Sequence, residues 1–288
     1  MINRKFIKMK KIIVAFDGLR FSESAKNYAL QVCKQNDAHL VGVFLEDFTY
    51  TGYKIYDLVS ANGGIIGPAK KRLEKKDAKL RAAAVTNFEK ACTDAGLKFS
   101  VHRDRHAAIR ELLHESIYAD MLIIDSIETL SHHPERPPTG FIRDLLTHVQ
   151  CPVLLVPHIY KPVKKVIVLY DGEPSSVHAI KMFSYTMDPL GQSAIEVLSV
   201  NSKIPSLHVP DSKLMKEFMA RHFANCSFTV LKGLPETEIL AHLKKQEVNC
   251  LIILGAYRRS MVSRWFRASM ADTLMQNLKL PLFIAHNK

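Results

Sequence analysis

Lys165-Val166-Ile167-Val168-Leu169-Tyr170-Asp171-Gly172 repeats, position by position in character, an earlier stretch, Lys11-Ile12-Ile13-Val14-Ala15-Phe16-Asp17-Gly18. Each is an apolar run without polar alternation, closed by an acid and a glycine. Such a run reads as a strand buried on both faces and ended by a turn. Two more pairs follow in the same order. Met121-Leu122-Ile123-Ile124 matches Leu251-Ile252-Ile253-Leu254, and Cys151-Pro152-Val153-Leu154-Leu155 matches Leu280-Pro281-Leu282-Phe283-Ile284. Asp17 to Pro152 spans 135 positions and Asp171 to Pro281 spans 110. The excess of the first copy falls in the Tyr- and Gly-rich stretch Glu46 to Pro68 and in a helical stretch, Lys70 to Ala95. An internal repeat with an insertion implies two domains, 1–158 and 163–288, joined by His158 to Pro162.

Helical patterns alternate with these runs. Ser22 to Lys34 places Ala25, Tyr28, Ala29 and Val32 on one face, with Ser22 as N-cap, and further helices are expected over Ala107 to Tyr118 and Phe141 to His148. His39 to Leu45 and Lys98 to His102 are two more strands. Apolar strands alternating with helices imply a parallel sheet covered on both sides. The expected fold is therefore α/β, with two repeated doubly wound five-stranded parallel-sheet domains of Rossmann-like type.

Composition narrows the function. The 288 residues suit two ordinary domains, and 47% hydrophobic content supplies packed cores. No apolar run has the length of a bilayer span, and Ile12 to Phe16 is too short for a signal-peptide core. Five cysteines stand singly with no C-x-x-C, the pattern of reduced thiols in a cytoplasmic protein. The net charge of +12 is spread along the chain, without a zinc-finger spacing or an RNA-binding motif, so nucleic acid is not an expected partner. His102 with His106, and His132 with His133, lack the further ligands that a metal site needs, and no metal is expected. No nucleophile elbow, Walker loop or H-E-x-x-H occurs, so no catalytic residue is assigned and the chain is not expected to be an enzyme.

The stretch with the most chemistry is Leu251 to Ala271. A buried strand breaks at Gly255, a loop carries Arg258, Arg259, Arg264 and Arg267, and Ser269 stands where a helix starts. Free N–H groups and the helix dipole favour an anion at such a place. The arginines fit equally well as a solvated face or as partners of acids elsewhere.

In these features the chain resembles the universal stress protein family in its tandem, two-domain form. The carriers are the paired Asp-Gly strand ends, the Cys-Pro-Val-Leu-Leu-Val closing strand, and Gly233-Leu234-Pro235 with Ile239 four positions on. The resemblance implies an adenine-nucleotide-hydrolase-like fold. Its ATP-binding members share G-x2-G-x9-G-[ST] after the fourth strand, and the acid ending the first strand lies near the adenosine. On that pattern the second domain keeps Gly255, Ser269 and Asp171 but has Arg258 and Ala268 at the other two glycine positions. Its candidate ligand site is Asp171, Gly255, Arg258, Arg259, Arg264 and Ser269, with ATP as the candidate cofactor, bound weakly or in altered form. In the first domain Asp125 replaces the first glycine, Thr139 falls at the third and Gly140 at the hydroxyl position, so no ATP is expected there.

The resemblance further implies a non-catalytic stress-response factor that acts through an unidentified protein partner. The alternative is a sensor of adenine nucleotide or another anion in the second domain, and slow nucleotide hydrolysis is a weaker third possibility. The two domains are expected to pair through Pro152 to Val156 and Pro281 to Ala285, with further dimerisation left open.

Overall fold

The computed structural model describes residues 11–45, 67–104, 108–130, 134–187, 194–201, 208–255 and 270–286. The first half runs β1 (Lys11–Asp17), α1 (Glu23–Asn36), β2 (His39–Leu45), α2 (Gly67–Asp94), β3 (Phe99–Asp104), α3 (Ala108–Ile117), β4 (Met121–Asp125), α4 (Gly140–His148) and β5 (Val153–Val156). The second half runs β6 (Lys165–Leu169), α5 (Pro174–Thr186), β7 (Ala194–Asn201), α6 (Ser212–His222), β8 (Cys226–Lys232), α7 (Pro235–Lys244), β9 (Cys250–Gly255), α8 (Met270–Asn277) and β10 (Leu282–Ala285).

All ten strands join one sheet, in the order β3-β2-β1-β4-β5-β10-β9-β6-β7-β8. Pairing is parallel throughout each half. At the centre β5 runs antiparallel to β10, with Val153 opposite Ile284, Leu154 opposite Phe283 and Leu155 opposite Leu282. The direction of winding reverses between β1 and β4, and again between β6 and β9. Those two points are where open α/β sheets form a crevice beyond the carboxyl ends of their strands.

Helices cover both faces. One core packs α1, α2, α5 and α6 on the sheet, and the other packs α3, α4, α7 and α8. The registers make the repeat explicit. Val14 lies opposite Ile123 and Val168 opposite Ile253, so Asp17 corresponds to Asp171 and Asp125 to Gly255.

Local chemistry sets the helix ends. The Ser22 hydroxyl accepts the Ala25 N–H at 3.2 Å, and Asp37 closes α1 in the left-handed region with φ 51°. Helix α2 begins at Gly67, three residues ahead of Lys70, because Pro68 is tolerated in a first helical turn. The connecting segment is pinned from both halves. Tyr28 Oη and Asn249 Nδ2 each donate to the Lys161 carbonyl at 2.7 Å, and Ser24 Oγ donates to that of Pro157 at 2.6 Å. Among the described residues no helix is long and apolar enough to cross a membrane.

Phe283 is fully buried on β10, with its ring 5.6 Å from that of Phe183. Phe283→Ala should lower the unfolding free energy in urea by about 3–5 kcal/mol. A loss below about 1 kcal/mol would show that the ring is not part of a tightly packed core.

Candidate functional site

In the first half the switch-point crevice is occupied by the chain itself. Asp17 ends β1, Asp125 ends β4, and Glu128 follows in the next turn; they are 4%, 3% and 8% exposed. Each carboxylate is held separately. Asp125 Oδ2 accepts the Ser22 hydroxyl at 2.7 Å and the His158 Nδ1–H at 3.0 Å, and its Oδ1 accepts the Ile127 N–H. Asp17 Oδ1 accepts the Leu19 N–H at 2.8 Å, while its Oδ2 lies 3.6 Å from Arg20 Nε. Glu128 Oε1 accepts the N–H groups of Thr129 and Leu130, both at 3.0 Å, which holds Leu130 at φ 49°.

Burial, then the charges of Asp17 and Asp125 beside it, push the Glu128 carboxyl up to about 7 despite the two N–H donors. Burial also raises Asp17, against the Leu19 N–H and the nearby Arg20 and Arg81 guanidinium groups. Arg81 reaches this place because Gly18 has no side chain: a Cβ there would meet Arg81 Cγ at 3.0 Å.

Thr139 completes the closure. Its hydroxyl donates to the Glu128 carbonyl and accepts the Ile142 N–H at 3.2 Å, making it the N-cap of α4. This corrects the sequence assignment. Ser269 lies fourteen residues beyond Gly255, and fourteen beyond Asp125 lies Thr139, so Thr139 and not Gly140 holds the hydroxyl position. The third-glycine position belongs to Pro138, and the second, Arg258 in the other half, belongs to Glu128. Glu128, Arg81 and His158 were missed from sequence. A count of three residues from Asp125 would have found Glu128; nothing local marks the other two.

The second half is built differently at the same place. Asp17 precedes the cap of its helix by five residues and Asp171 by only two, so α5 starts closer to the sheet. Asp171 is exposed, and its Oδ1 accepts the Glu173 N–H at 3.0 Å. Gly172, at φ 83°, makes the turn into α5. A Cβ on Gly255 would lie 2.4 Å from the Ser175 carbonyl oxygen in the first turn of α5. Packing of α5 against β9 therefore already requires glycine at 255. Of the expected ligand site, the structure brings Asp171 and Gly255 to the ends of β6 and β9. Arg258, Arg259, Arg264 and Ser269 lie outside the described residues, as do Arg267, Ala268, His106, His132 and His133.

The remaining candidates have other roles. His102 Nδ1 pairs with Glu115, which also pairs with Lys11 at 2.8 Å at the opposite end of the sheet. The five cysteines are free; burial raises the thiols of Cys33 and Cys226, the latter to about 11. Among the described residues no group of three His, Cys, Asp or Glu side chains is placed to hold a metal.

Comparison with known proteins agrees with this architecture. No protein-family model matches the chain. A protein of Staphylococcus epidermidis assigned by name to the universal stress proteins is 26% identical over 155 residues, 52% of this chain and 85% of its own length. The crystal structure of a universal stress protein from Archaeoglobus fulgidus superposes over 98% of both chains with a TM-score of 0.70 at 14% identity. A Pseudomonas aeruginosa structure assigned to the same proteins covers 97% of this chain and 94% of its own, with a TM-score of 0.57 at 17% identity.

Two outcomes are expected at the crevices. A Glu128 carboxyl titrating near 7, against 4.5 ordinarily, contributes stability that is fully present below pH 4.5 and lost as pH rises through 7. Across that window Glu128→Gln should gain roughly 3 kcal/mol relative to the parent, read by urea unfolding at a series of pH values. A pH-independent difference between the two proteins would refute the assignment. Gly255→Ala should cost about 1–3 kcal/mol by overpacking against Ser175, in the same unfolding experiment and without any ligand. The chain is similar in sequence to proteins named as universal stress proteins, and its fold is that of the solved universal stress proteins.

Proposed function

We propose that the chain is a cytoplasmic tandem universal stress protein, with repeat units 1–158 and 163–288, that serves the stress response without catalysis, through contacts with other proteins. The observation that carries this is the closed first crevice. A phosphate brought there would meet Asp125 and Glu128, two buried acids at the first two glycine positions of the ATP-binding motif, with buried Asp17 beside them. In the second half the one retained motif glycine among the described residues is explained by its contact with Ser175, so it is not in itself a mark of a nucleotide. The name shared by the sequence relatives supplies the stress-response context.

A second reading is favoured by Asp171. It is exposed at the end of β6, at the reversal point of the sheet, where a ribose hydroxyl could donate to its carboxylate. On this reading the second half senses ATP or another anion, with Arg258, Arg259 and Arg264 countering its charge and Ser269 donating at the start of α8.

Calorimetric titration of the full chain with Mg-ATP separates the two. The scaffold reading expects no saturable heat up to millimolar nucleotide. Saturation near one site per chain, weakened by Ser269→Ala at an unchanged melting temperature, would replace it with the sensor reading.

A further inference from the structure

The two repeats differ most on the α1/α2 and α5/α6 side of the sheet. In the first half that side is filled with rings. Phe16 lies 4.6 Å from Phe21, 5.2 Å from Phe44 and 5.7 Å from Phe88, centroid to centroid. The seam between α1 and α2 is then closed by Asn87, which donates to Glu23 at 3.0 Å and accepts from Lys26 at 3.2 Å.

The second half loses each of these. Tyr170 holds the place of Phe16, and the strand register puts Ser199 at the place of Phe44. In the shorter turn after Asp171 the residue before the helix cap is Gly172, so no side chain corresponds to Phe21. Counting from the helix caps Ser22 and Glu173, Pro174 replaces Glu23 and Val177 replaces Lys26, so the polar closure is gone as well. What remains is a cavity of about 580 Å³ between α5 and α6, beneath Gly172. Its walls are apolar and partly aromatic: Tyr170, Val177, Met215 and Phe218.

Polar groups sit on two sides. His178 and Lys181 line the α5 side, one turn apart on one helix face. Burial, and then the Lys181 charge, lower the His178 pKa, which leaves its ring neutral and able to donate one hydrogen bond at neutral pH. Asp211 lines the α6 side and repels an anion there. A ligand filling this space therefore needs a ring-sized apolar body and a single negative group turned towards α5.

The geometry points to a binding site for a monoanionic aromatic ligand, an aryl carboxylate in chemical class, between α5 and α6. The ring lies against Tyr170, Val177, Met215 and Phe218, and the carboxylate meets Lys181 and His178. Among the described residues this site lies in the α5/α6 layer and is lined by neither Asp171 nor Gly255 of the proposed nucleotide site.

Naphthalene-2-carboxylate is the probe, titrated into the full chain and followed by its fluorescence and by calorimetry. One saturable site per chain is expected. Val177→Phe refills the cavity and should weaken binding at least about tenfold, because displaced aromatic contact is lost outright. Lys181→Met, a change at an exposed position, should weaken the carboxylate about tenfold but leave naphthalene-2-methanol unchanged, since only the charged partner loses a charge-assisted contact. Absence of saturable binding to the parent protein, or an affinity untouched by Val177→Phe, would overturn the assignment. If Val177→Phe does not fold, equal loss of both probes in Lys181→Met, or loss of neither, overturns it independently.

Discussion

The antiparallel pairing of β5 with β10 is the constraint on which the rest of the molecule depends. Both strands are four residues long and buried along their whole length. In either half alone, such a strand would present a row of unpaired N–H and C=O groups on an apolar edge, a template for aggregation. Joining them removes both edges and makes one ten-stranded sheet. The consequence reaches the cores. Leu154 and Phe283 belong to one apolar cluster that also holds Tyr28 of α1 and Ile180 of α5, so neither half owns that core by itself. The link between the halves is correspondingly short and tied down, with the Lys161 carbonyl receiving one donor from α1 and another from the residue before β9.

On this shared frame, the length of one turn decides how each crevice is used. The first half has three more residues between its strand-ending acid and its helix cap than the second, four against one. The longer turn leaves room at the end of β4, whose last residue can then carry a carboxylate that accepts from the Ser22 hydroxyl. The shorter turn sets the Ser175 carbonyl against the end of β9, and only glycine fits. The same three residues bring Phe21 onto Phe16 and Phe44 in the first half. Without them the α5/α6 layer keeps a cavity. Loop length thus sets both the strand-end contact and the packing of the helical layer on that face of the sheet.

The central strands β1, β4, β5, β6, β9 and β10 were legible in the sequence because each is an apolar run, the signature of burial on both faces, whereas β7 and β8, broken by Glu196 and by Ser227 and Thr229, carry no such mark. His39–Leu45 was bounded correctly from sequence, and Ser22 was recognisable as an N-cap from its place before an amphipathic run. The crevice was not legible in the same way. The loss of glycine at Asp125 was visible, but the hydroxyl was assigned to Gly140 one residue too late, although a capping position asks for Thr139. Glu128 looks like an ordinary loop acid until folding puts Asp17 beside it. His158 and Arg81 come from a linker and from the middle of a long helix, and no local pattern announces contacts of that separation. The cavity beside Tyr170 could not be read from one repeat alone. It emerges when strand register aligns the two halves and shows which rings are missing.

The filling of the first crevice has a physical oddity that bears on its meaning. A space that merely had to be closed could hold apolar side chains, as the adjoining α1/α2 layer does with its phenylalanines. Carboxylates cost desolvation and need partners to survive burial. The chain supplies those partners from separate elements: Ser22 from the cap of α1, Arg20 from the turn before it, two N–H groups from the turn after β4, and His158 from the segment that leaves β5. Asp125 therefore connects the end of β4 to the start of α1 and to the connection between the halves. Removing its charge would loosen contacts to each of them together, which a hydrophobic plug could not do. The acids make the first half a mechanical junction at the very place where a sheet of this winding would otherwise offer a ligand site.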